Sequence, residues 1–158
     1  MNATQRPSMV GYPRGFARIM WAGFAALLVS GLLLVPDALQ RRLDWAMPLL
    51  LSEGWHLPVA AIHAASAWFA LLLIGALQAV HVRIGWRRRL NLATGIALLI
   101  SAALLAITAL VINYAGDERI SLSASLSHLG AALLVAVLAV VHTLKGRRLH
   151  RERIHGVR

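Results

Sequence analysis

The chain has 158 residues, the size of one domain. It is 59% hydrophobic and 14% charged with a net charge of +10, whereas a soluble domain averages about a quarter charged residues. It has no cysteine, which excludes covalently attached c-type haem, iron–sulfur clusters held by this chain and structural disulfides.

The charges cluster and leave four long stretches without any: 18 residues between Arg18 and Asp37, 29 between Glu53 and Arg83, 27 from Leu90 to Gly116 and 25 from Ile120 to Leu144. A helix needs about 20 mostly apolar residues to cross a bilayer. Four such stretches in so short a chain leave too little polar surface for a soluble protein. The expected fold is therefore an all-α membrane protein, an antiparallel bundle of four transmembrane helices.

Residues 1–15 read as a polar tail with Pro7 and Pro13. The first helix is predicted over about 16–35, ending at Pro36-Asp37. It follows Arg6, Arg14 and Arg18 as a signal segment would, but no small-x-small cleavage site follows it cleanly, so it reads as retained. An outer loop over 36–57 carries Trp45 and Trp55, which suit the membrane interface, and Leu43 to Leu51 reads as a segment lying flat on it. The second helix is predicted over 58–82, with Pro58 in its first turn. Arg83-Ile-Gly-Trp-Arg-Arg-Arg89 forms a tight turn, the third helix covers 90–112 and the fourth 121–144, and 146–158 is a basic tail. Residues 16–145 thus make one membrane domain between two tails.

Charge sets the expected orientation. With both termini in the cytoplasm, the inner side holds 13 of the 16 basic residues, among them Arg83, Arg87, Arg88, Arg89, Lys145, Arg147, Arg148, Arg151, Arg153 and Arg158, against one acid, Glu152. The outer side holds Arg41, Arg42 and Arg119 against Asp37, Asp44, Glu53, Asp117 and Glu118. This is the positive-inside pattern, so the excess charge reads as topology and contact with anionic lipid rather than nucleic-acid binding.

Seven histidines are present. His150 and His155 fall in the basic tail, and His56 lies at the outer end of the second helix. The other four lie within spans, His63 and His81 on the second and His128 and His142 on the fourth. Ionisable groups inside a membrane are costly and usually functional. At about 100° per residue, the 18 steps from His63 to His81 make about five full turns, and the 14 from His128 to His142 fall about 40° short of four. Each pair is thus expected to share a face. His81 and His142 both sit just inside the cytoplasmic boundary. The outer pair matches less closely, because the two separations, about 27 Å and about 21 Å, differ by about 6 Å; helix tilt or a bulge has to absorb the difference.

Two stacked histidine pairs on parallel helices suit bis-histidine haem, whose iron takes axial ligands from both faces of the macrocycle. The pairs read as His63 with His128 and His81 with His142, with Arg83, Arg87 and Lys145 placed to meet propionates. Other readings stand beside this one. The histidines also suit hydrogen bonds across helices to Ser66, Thr94, Ser101, Thr108 or Ser127. A zinc or copper cluster would need ligands closer together, and a proton relay would need acids that the spans lack.

The chain resembles small bacterial four-helix transmembrane cytochromes b, the group of di-haem membrane subunits found in formate dehydrogenases, nickel–iron hydrogenases and related proteins. The resemblance covers about residues 60–148. It rests on His63, on His81-Val-Arg-Ile-Gly-Trp-Arg-Arg-Arg89, on Ile107-Thr-Ala-Leu-Val-Ile-Asn-Tyr-Ala-Gly-Asp-Glu-Arg119, and on His128-Leu-Gly130 followed by His142 and Gly146-Arg147-Arg148. Arg18-Ile-Met-Trp21 and Ser30-Gly31 resemble the first helix of such subunits, although Met20 stands where the family often has a ligand histidine. The resemblance implies two haems b, electron exchange with a quinone pool or a redox partner, docking on a larger dehydrogenase or respiratory complex, and residence in the bacterial inner membrane. A haem-free anchor or assembly subunit is the alternative. No nucleophile–base pair or phosphate loop marks the chain as a stand-alone enzyme.

Overall fold

A computed structural model describes Tyr12, residues 15–87 and residues 89–155. The rest of the expected N-terminal tail, including Arg6 and Arg14, lies outside the described residues, as do Arg88 and residues 156–158; so do the side chains of His150 and of residues 153–155. The described chain is all helical, in the order α1 (Phe16–Leu43), α2 (Glu53–Leu77), a π-helical turn (Gln78–Val82), α3 (Arg83–Arg87), α4 (Leu92–Tyr114) and α5 (Glu118–His155). The π turn and α3 continue α2, so four helices are long and apolar enough to cross a membrane.

Several boundaries differ from the sequence expectation, and the expected tight turn over Arg83–Arg89 is helical as far as Arg87. α1 runs through Pro36 to Leu43, and Asp37 is buried on it, accepting the Leu51 amide at 3.3 Å. Its carboxylate is satisfied inside the fold and does not end the helix. α2 starts at Glu53, five residues before Pro58. α5 starts at Glu118, where Asp117 caps it by accepting the Ile120 amide at 2.9 Å. It then continues through the expected basic tail to His155, with Arg148 and Glu152 paired one turn apart.

The chain divides into two units, Met1–His81 and Val82–Arg158. The first is an antiparallel hairpin of α1 and α2. Its contact face is built from small α1 residues: a Cβ on Gly23 would lie 3.0 Å from the Phe69 ring, and one on Gly31 would lie 3.0 Å from His63 Cε1. Ser30 and Ala70 are buried in the same seam.

The second unit is the hairpin of α4 and α5. Buried Thr94, Ser101 and Thr108 recur every seven residues on α4, and Ser121, Ala124 and Ala131 are buried on α5. A seven-residue repeat of small residues lets two backbones approach closely along their length, the packing that membrane helices use where burying apolar surface gains nothing over lipid.

Large apolar side chains point the other way. Leu72, Trp68, Ile100, Val137 and Leu133 are all exposed, and among the described residues no large side chain is fully buried. In water such continuous apolar surface would aggregate; in hydrocarbon it is solvated. The protein is therefore a multi-pass membrane protein.

Candidate functional site

Three of the four span histidines are half-buried and each meets a hydroxyl on the neighbouring helix of its own hairpin. Ser30 Oγ lies 3.1 Å from His63 Nδ1, Thr108 Oγ1 lies 2.9 Å from His128 Nδ1, and Thr94 Oγ1 lies 2.8 Å from His142 Nδ1. The last two are the same rung of the α4–α5 seam repeated after two heptads, 14 residues apart on each helix. His128 and His142 therefore share a face, as their spacing predicts. At the heptad position between them, Ser101 is buried on α4.

The proton count constrains the direction of these bonds. A hydroxyl has one proton to donate and lone pairs to accept with. Ser30 Oγ donates to Ala26 O at 2.7 Å, and Thr108 Oγ1 donates to Leu104 O at 2.8 Å. Thr94 Oγ1 donates to Asn91 Oδ1 at 2.7 Å. With that proton committed, each hydroxyl has a lone pair to offer its histidine, and a bond in that direction puts hydrogen on Nδ1. At His142 the Asn91 amide, which has two protons to give, donates one to the His142 carbonyl at 2.9 Å and lies 3.1 Å from Nδ1.

Backbone placement explains two of these partners. Asn91 opens α4 in the left-handed region, φ 51°, which asparagine tolerates better than most residues. That conformation turns its side chain toward α5. Gly31 provides room for His63, since any side chain there would press on the ring at Cε1 and Nδ1. Sequence reasoning singled out Thr94 and Thr108 as hydrogen-bond candidates and missed Asn91. It quoted Ser30 and Gly31 without connecting them to His63. The seven-residue recurrence of Thr94, Ser101 and Thr108 was the available signal.

His81 departs from the expected geometry. It lies inside the π turn, which takes one more residue per turn than an α-helix. The count of five whole turns from His63 therefore fails, because His81 lags the α-helical register. Its side chain is exposed. The wider turn also shortens α2 by about one residue's rise, ~1.5 Å of the ~6 Å mismatch between the two histidine separations. At the opposite end of α2, His56 Nε2 is hydrogen-bonded to the Arg41 guanidinium, which ties the end of α1 to the first turns of α2.

Fold and side chains together define a class, a multi-pass helical membrane protein whose spans carry histidines tied by hydroxyls to the adjacent helix. Beyond that class, no family model, no curated protein and no solved structure matches the chain.

Proposed function

We propose that the chain is a membrane-embedded b-type cytochrome. It would hold two haems by His63 with His128 and by His81 with His142, and carry electrons between a quinone pool and a redox partner subunit. The supporting observation is the hydroxyl within hydrogen-bond distance of Nδ1 at His63, His128 and His142, placed to accept a proton there. An imidazole binds a metal through one nitrogen while the other donates to a fixed acceptor, which sets the tautomer and the ring plane. The donor set thus fits haem iron, which asks for single imidazoles. Among the described residues no three of His, Asp and Glu converge as a metal cluster would require. Haem would supply one-electron transfer; His63, His81, His128 and His142 would hold the iron, with Arg83, Arg87 and Lys145 close in sequence to the inner histidines.

The charge distribution supports both termini facing the cytoplasm of a bacterial inner membrane. The helical extension of α5, with Lys145, Arg147, Arg148 and Arg151, suits anionic head groups or an acidic partner subunit.

A second reading is favoured by the same bonds. Histidine–hydroxyl pairs stitch two membrane helices without any cofactor, as a haem-free anchor would need. An absorption spectrum of the detergent-purified protein separates the two. A sharp reduced α band with close to two haems per chain is expected for the cytochrome; a colourless protein that refuses added haem contradicts it.

A further inference from the structure

The π turn of α2 is not left to the local sequence. In an α-helix the His81 amide would donate to Leu77 O, and in a π turn to Ala76 O. Here the His81 amide donates to the phenol oxygen of Tyr12 at 3.1 Å, across 69 residues. The Tyr12 hydroxyl lies 3.3 Å from Ala76 O and 3.4 Å from Leu77 O, the two carbonyls in question. One side-chain hydroxyl therefore stands in the gap of the helix ladder, accepting from the amide and donating to the carbonyl edge. Side chains inserted into the ladder are a recognised cause of such wide turns. Two features bring Tyr12 there. Gly15 takes φ 99°, a conformation open to glycine, and the Tyr12 ring stacks on Phe16 with centroids 4.4 Å apart.

We infer that Tyr12 is a positioning residue for His81: its hydroxyl holds open the π turn and so sets the rotation at which the imidazole leaves α2. The inference rests on the cytochrome reading for what His81 then does, but the wedge itself does not. It gives a purpose to a residue of the expected polar tail, and it places the control of the inner haem ligand on Tyr12, ahead of the first span.

The test is Tyr12→Phe in the full chain, which keeps the ring stacked on Phe16 and removes only the hydroxyl. Two readouts are followed, amide hydrogen exchange at His81 and titration of the purified protein with haem. The expected result is exchange at His81 altered by at least tenfold and a second haem bound at least tenfold more weakly, with the first haem unaffected. Ser30→Ala serves as the contrast, leaving His81 exchange unchanged. Unaltered exchange at His81 in Tyr12→Phe overturns the wedge. Altered exchange with both haems bound as before overturns the positioning role. A wild-type chain that binds no haem overturns the cytochrome reading and the positioning role with it, while the exchange result still judges the wedge separately.

Discussion

The hydroxyl of Thr108 meets Nδ1 of His128 at 2.9 Å while donating its own proton to Leu104 O at 2.8 Å. Thr108→Val keeps the shape and removes the hydroxyl. The expected cost is about 0.5–1.5 kcal/mol, the range for hydrogen bonds between membrane helices, read from denaturant unfolding in detergent. In the haem-loaded protein the midpoint potential of one haem should shift and that of the other should not. No change in either potential would separate Thr108 from the haem.

Thr94→Val should cost more than Thr108→Val. Thr94 also donates to Asn91 Oδ1, and Asn91 in turn holds the His142 carbonyl, so one methyl disturbs a three-residue network. Paired unfolding curves of the two variants check the order. Equal losses would mean that Asn91 adds nothing.

Gly31→Ala would place a Cβ 3.0 Å from His63 Cε1, and the ring has to give way. The expected loss is about 1–3 kcal/mol, as for overpacking in a well-filled seam. Gly75→Ala is the control. A Cβ there meets nothing within 4 Å, so the variant should be neutral or gain about 0.5–1 kcal/mol of helix propensity. Similar stability for both variants would contradict the close approach of α1 to His63.

The topology can be read with single cysteines, because the chain has none of its own. Asp117→Cys should react with a membrane-impermeant thiol reagent added to intact cells, and Arg148→Cys only after the membrane is opened. The reverse pattern would overturn the orientation drawn from charge.

The four spans were legible because charge-free length is a one-dimensional property of the chain, and the His128–His142 face was legible because α5 keeps regular α-helical geometry between them. His81 was not, since its register depends on a hydroxyl 69 residues away, which no local periodicity reports. The end of α1 was misplaced for a similar reason. Pro36-Asp37 looks like a stop, and only the Leu51 amide, 14 residues on, shows how the Asp37 carboxylate is satisfied within the helix. Ser30 carries a resemblance to a family's first helix, but no spacing rule ties it to His63, since the register of the two helices is set by packing.

The most direct test of the cytochrome proposal counts haem in single and double His→Leu variants. Each single replacement at His63, His81, His128 or His142 should lower the content from two haems per chain to one. Replacing His63 and His128 together should cost no more than either alone, whereas replacing His63 and His81 together should remove both haems. Full haem content after any single replacement would contradict that residue's assignment, and a wild-type chain without haem would contradict the proposal as a whole.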